Sequence, residues 1–142
     1  MRKAREGGAV PVLTGARVLV VEDEYFISAE LEAILIEAGA QIVGPCQSVR
    51  EALALVDENL SAAVLDIHLV SETVAPVAAQ LAEHGVPFIF YTGQLGTDEL
   101  LAEWPGRKVV QKPASASTLV GTIADLLGAQ TEVRSERTST PY

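Results

Sequence analysis

Two spacings of apolar residues alternate along the chain. Consecutive apolar runs of strand length stand at Val18–Val21 (VLVV), Gln41–Gly44 (QIVG), Ala62–Leu65 (AAVL), Val86–Tyr91 (VPFIFY) and Lys108–Val110 (KVV). Between them, apolar residues recur three and four apart, the period of an amphipathic helix. Ile27, Leu31, Ile34 and Leu35 share one face of a first helix that stops before Gly39. Ser48 followed three residues later by Glu51 is a capping-box pattern, and it opens a second helix with Val49, Leu53 and Val56 on one face. A third helix is predicted over about Thr73 to Glu83, with Pro76 confined to its first turn, where a proline's missing N–H costs nothing. A short fourth covers about Thr97 to Glu103, closed by Pro105 and Gly106. A fifth starts from Ser115 or Ser117, aligns Leu119, Ile123, Leu126 and Leu127, and ends at Gly128.

Strands apolar on consecutive residues must be covered on both faces, and a parallel sheet wrapped by crossover helices does this. The pattern therefore predicts an α/β fold, a doubly wound (βα)5 five-stranded parallel sheet, for which strand order 2-1-3-4-5 is a common arrangement. Ligands of such sheets sit beyond the carboxyl ends of the strands, where the order reverses. Residues 1–15 and 129–142 lack apolar periodicity and are expected to be a flexible leader and tail around one domain over 16–128. Fourteen residues after that domain are too few for a DNA-binding module.

Composition narrows the class. At 49% hydrophobic and 20% charged, the 142-residue chain is globular. Residues 16–128 hold five basic against sixteen acidic side chains, a net of −11 that repels phosphate backbones, so no nucleic-acid partner is expected. No apolar run is long enough to cross a membrane, and the start, MRKAREGGAVPVLTG, lacks the apolar centre of a signal peptide, so a cytoplasmic protein without a membrane partner is expected. Cys46 is the only cysteine and is expected to pack in the core.

The chemistry lies at the strand ends. Strand one ends in Glu22-Asp23-Glu24, strand three in Asp66, strand four in Thr92-Gly93 and strand five in Lys112-Pro113. Strand order 2-1-3-4-5 puts Glu22, Asp23 and Asp66 side by side. Two carboxylates about 4 Å apart repel by roughly 4 kcal/mol at an effective dielectric near 20, so three ionised together require a cation. A donor set of oxygens alone suits Mg²⁺. Lys112 adds a positive charge and Thr92 a hydroxyl for a phosphoryl oxygen. The set is poised for reversible phosphorylation of a carboxylate, with Asp66 as nucleophile toward phosphorus.

VLVVEDE, AAVLDIHL, FIFYTG and VVQKPAS, in this order, resemble the receiver domain of two-component response regulators over about residues 16–128. The resemblance implies a flavodoxin-like, CheY-like fold. It also implies that Asp66 takes its phosphoryl group from a sensor histidine kinase or a histidine phosphotransfer protein. By the same resemblance Asp23 binds Mg²⁺ directly, Glu22 binds it through water, and the backbone carbonyl of His68 is a further ligand. Lys112 then pairs with the phosphoryl group, and Thr92 moves toward it. The implied protein signals through contacts with a protein target and catalyses only its own phosphorylation and dephosphorylation.

Val109 stands where most receivers carry the Tyr or Phe that reports phosphorylation. FIFYTGQ resembles a subgroup of small, often single-domain receivers whose fourth strand reads Phe-Ala-Thr-Gly, with Tyr91 here in place of the alanine. The segment from Gly93 to Pro105 is therefore expected to respond by a change of order. Two other readings use the same residue types. A Mg²⁺-dependent phosphatase of the haloacid-dehalogenase kind carries a second Asp two residues after its nucleophile, where this chain has His68. A receiver-like adaptor independent of phosphorylation has no need of the complete set. His84, before Gly85, reads as a cation at a helix end, and Trp104 as a plug beside the short helix.

Overall fold

The computed structural model describes residues 10–93 and 99–139. Five parallel strands form the central sheet: β1 (Arg17–Val21), β2 (Gln41–Cys46), β3 (Ala62–Leu65), β6 (Phe88–Thr92) and β7 (Val109–Gln111), in the order β2-β1-β3-β6-β7. Two further strands, β4 (His68–Leu69) and β5 (Glu72–Thr73), form a small antiparallel hairpin after β3. The central sheet is thus the expected 2-1-3-4-5 order, with β6 and β7 as its fourth and fifth strands. The helices are α1 (Tyr25–Glu37), α2 (Val49–Leu55), α3 (Ala75–Glu83), α4 (Glu99–Glu103) and α5 (Ala116–Ser139).

Alternation along the strands divides the core in two. Leu19 and Val21 of β1, Ala63 and Leu65 of β3, and Phe88 and Phe90 of β6 face α2 and α3, packing on Val49, Ala52, Val77, Ala78 and Leu81. Val18, Val20, Val64, Ile89 and Tyr91 face α1 and α5, packing on Leu31, Leu35, Leu119 and Ile123. Each fully buried Val, Leu, Ile or Phe among them contributes about 1.5–3 kcal/mol, and both faces of the sheet are covered, as consecutive apolar runs require. Trp104 does plug the first core beside α4, edge-to-face on Phe88 at 5.6 Å, with the Arg107 guanidinium 4.3 Å from the Phe88 centroid. Cys46 is buried there too, its thiol pushed up to about 11 by burial and then by the Glu51 charge, which leaves it inert packing.

Local signals account for most element ends. The Ser48 hydroxyl accepts the Glu51 N–H at 3.2 Å, and the Glu51 carboxylate accepts the Gln47 N–H at 2.7 Å, one residue before the cap. Ser115 caps α5, accepting the Thr118 N–H at 3.1 Å. His84 closes α3, its Nδ1 2.9 Å from the Gln80 carbonyl.

Four expectations are corrected. The buried face of α2 is Val49 and Ala52, while Leu53 is exposed, because the helix meets the sheet along its i, i+3 line. Strand β2 continues past Gly44 to Cys46 through an irregularity opposite Leu19 and Val21, which Gly44 permits at φ +95°. Helix α5 does not stop at Gly128. That glycine keeps helical backbone, and the following Ala, Gln, Glu and Arg residues are good helix formers, so the helix runs to Ser139. Of the leader, residues 10–15 are docked rather than loose: Leu13 is buried in the α1 and α5 core, and its N–H donates to the Ala38 carbonyl at 2.8 Å. Residues 1–9 and 140–142 lie outside the described residues, and so do residues 94–98 of the Gly93–Pro105 segment.

Candidate functional site

The hydrogen-bond ladder runs past the strand ends and brings the polar residues together. The Glu22 N–H donates to the Cys46 carbonyl, the Asp66 N–H to the Val21 carbonyl, each at 2.9 Å, and the Lys112 N–H to the Thr92 carbonyl at 2.8 Å. The residue after β1 is thus tied to the end of β2, the residue after β3 to the end of β1, and the residue after β7 to the end of β6. One carboxylate oxygen from each of Glu22, Asp23 and Asp66 lies within 4.8 Å of the other two. The Lys112 Nζ sits 2.8 Å from Glu22 Oε1 and 3.4 Å from Asp66 Oδ2, and so bridges the two buried acids. Thr92 is buried at the end of β6 and lines, with Asp66, Lys112, Gly93, Glu24 and His68, an open pocket of about 300 Å³.

The electrostatics are unbalanced in one direction. Burial, reinforced by the Asp66 charge and only partly offset by Lys112, pushes the Glu22 carboxyl up to about 7. Burial alone would lower Lys112, but Glu22 and Asp66 together outweigh it and hold the ammonium above its ordinary value. One ammonium therefore does not neutralise three acids. A hard divalent cation would, and the donors are oxygens only, so the residues present fit Mg²⁺.

All of the residues expected at the site meet there. His68 is on the rim, its side chain exposed at the start of the hairpin. Neither Glu22 nor Asp23 caps α1: the cap position is Glu24, which makes no side-chain bond to the helix. Glu24, outside the expected set, rims the pocket and donates its N–H to Glu22 Oε2 at 3.1 Å. Two further contacts were hidden in the sequence. The Val70 N–H, in the hairpin turn, donates to Asp23 Oδ2 at 2.6 Å, and the Tyr91 hydroxyl accepts the Ala114 N–H at 3.2 Å. The only sequence signal for the second was a phenol in a buried strand, which must find a polar partner.

No protein-family profile and no curated protein matches the sequence. Solved structures do match the fold. The signal receiver domain of a modulated diguanylate cyclase from Desulfovibrio desulfuricans G20 aligns over 81% of this chain and 95% of its own, at 26% identity and a TM-score of 0.72. A CheY-like response regulator receiver domain protein from Methanospirillum hungatei JF-1 aligns over 82% and 97%, at 21% identity and a TM-score of 0.72. The response regulator PhyR from Brucella abortus aligns over 93% of this chain but only 55% of its own, at 22% identity and a TM-score of 0.72. The chain has the fold of the CheY-like receiver domains of response regulators.

Proposed function

We propose that the protein is a phosphoacceptor of two-component signalling, taking a phosphoryl group on Asp66 in a Mg²⁺-dependent reaction and passing the signal on by protein contacts. One observation carries the reading: a single ammonium, Lys112 Nζ, spans Glu22 and Asp66 in an open pocket shared with Thr92. An Asp66 carboxylate oxygen attacks phosphorus, the P–N bond to the donor's phosphohistidine breaks, and the imidazole leaves with the bonding electron pair and takes up a proton. Lys112 and the Thr92 hydroxyl bind the phosphoryl oxygens, replacing the contact Lys112 makes with Asp66 Oδ2. Glu22, Asp23, Asp66 and the His68 carbonyl would hold Mg²⁺, which when bound neutralises charge on the phosphoryl oxygens. Hydrolysis later returns the carboxylate: water attacks phosphorus and the acyl-phosphate P–O bond breaks. The donor is a sensor histidine kinase or a histidine phosphotransfer protein. A PhyR from Bartonella quintana, 22% identical, is described as an anti-anti-sigma factor, which supports a protein target here as well.

Intact-mass measurement after incubation with acetyl phosphate and Mg²⁺ tests the reading. One labile phosphoryl adduct per chain is expected, absent without Mg²⁺ and absent in Asp66→Asn. An unmodified chain, or an adduct that survives Asp66→Asn, refutes it. Multiple turnover of a phosphomonoester would instead make the protein a phosphatase.

A further inference from the structure

One buried residue touches both the Lys112 ammonium and the main chain two residues beyond it. Tyr91 is 3% exposed in the core between the sheet and helices α1 and α5, an apolar setting in which its hydroxyl needs a partner. It accepts the Ala114 N–H at 3.2 Å. The face of the same ring lies 5.6 Å from Lys112 Nζ, within the range at which an aromatic face attracts an ammonium. Pro113 has no N–H, so the segment 112–114 offers two main-chain donors. Consecutive residues of β6 take both: the Thr92 carbonyl accepts from Lys112, and the Tyr91 hydroxyl from Ala114. Ala114 precedes the α5 cap Ser115, so the phenol fastens a residue that lies between the sheet and the helix.

We propose that Tyr91 is a positioning residue: it fixes the Lys112-Pro113-Ala114 segment and sets the direction in which the Lys112 ammonium points at Asp66. The consequence for phosphoryl transfer rests on Asp66 being the acceptor; the consequence for Lys112 does not. A lysine has four rotatable side-chain bonds, and a ring under its ammonium, tied through its own hydroxyl to Ala114, removes part of that freedom before the phosphoryl group arrives.

The test compares the full chain with Tyr91→Phe, which keeps the ring and removes the acceptor. Carbon-13 labelling of lysine reports on Lys3, Lys108 and Lys112 alone, the three lysines of the chain. Tyr91→Phe is expected to move the Lys112 ε-CH₂ resonance while leaving Lys108 in place, and to speed amide exchange at Ala114. Transfer from acetyl phosphate to Asp66 should slow about fivefold, the size of one ordinary hydrogen bond, with the affinity for Mg²⁺ alone within about twofold of wild type on the same scale. A general loss of stability with the Lys112 resonance and the Ala114 exchange unmoved assigns Tyr91 to packing and overturns the proposal. Should the wild-type chain take no phosphoryl group at all, the proposed function fails, and the two magnetic-resonance readouts still decide the role of Tyr91.

Discussion

Glu22 is the residue at which a proton and a bound Mg²⁺ would compete. Its carboxyl is buried beside Asp66, and Lys112 offsets only part of the penalty, so its value in the fold is about 7. A carboxyl held above its unfolded value favours the native state while it is protonated. Its contribution is complete below about pH 4.5 and is lost as the pH rises through about 7. In metal-free buffer, urea unfolding should show the Glu22 share of stability falling over this window by on the order of 3 kcal/mol, and Glu22→Gln should flatten that part of the profile. Mg²⁺ favours the charged form, so saturating metal should abolish the decline in the wild type. A decline of equal size in Glu22→Gln would assign it to other groups. The site was legible at this scale because its chemistry sits in types that do not belong at the end of an apolar strand: Glu22, Asp23, Asp66, Thr92 and Lys112. Val70 and Tyr91 were not legible as site residues. One acts through its main-chain N–H and the other through a hydroxyl on a ring that reads as core, and both contacts depend on tertiary register.

At the scale of elements, consecutive apolar runs and the 3.6 period were enough for the order of strands and helices along the chain, because each carries its own burial. What they missed was made by pairing. The β4 and β5 hairpin turns at Val70 and Ser71, without the Asn-Gly or Asp-Gly signature, and Ser71 takes φ 64°. It is held from outside, by Asp23 on the Val70 N–H and by Glu72, whose carboxylate accepts the Val49 N–H at 3.0 Å at the start of α2. The docked part of the leader was missed for a similar reason, since the stretch Val10-Pro11-Val12-Leu13 is too short to show a period and the partner of Leu13 is the end of α1. Gly39 joins the two. It has φ +100°, and a Cβ there would come 2.7 Å from Thr14 Oγ1 and 2.9 Å from Pro11 Cβ. Gly39→Ala should therefore cost about 2 kcal/mol, combining left-handed strain with the clash, and should raise the proteolytic sensitivity of residues 10–15. An unchanged urea midpoint would mean that the leader does not pack there in solution. Ser115→Ala, which removes the α5 cap, should cost about 1 kcal/mol in the same assay, and a cost near zero would show that Ser117 takes over the cap.

Across the whole molecule, five bases against sixteen acids in residues 16–128 make two kinds of salt effect separable. The charges of the diffuse field repel one another, and any salt relieves that repulsion to a degree set by ionic strength alone. Among the described residues no helix is long and apolar enough to cross a membrane. On the proposed reading the acid pocket would add a local effect on top of the diffuse one, because an ion held by Glu22, Asp23 and Asp66 would stabilise the native state by mass action, about 2.7 kcal/mol at a hundredfold excess over its dissociation constant. At equal ionic strength near neutral pH, MgCl₂ should raise the unfolding midpoint above NaCl by an amount that grows with the logarithm of its concentration. Asp23→Asn removes one charge from the pocket yet keeps an oxygen for the Val70 N–H, so the hairpin tie at Asp23 survives the substitution. In that variant the response to NaCl should persist while the excess due to MgCl₂ shrinks by at least half. An equal excess in both proteins would mean that magnesium acts through the general field, and that the three acids at the strand ends do not form a binding site.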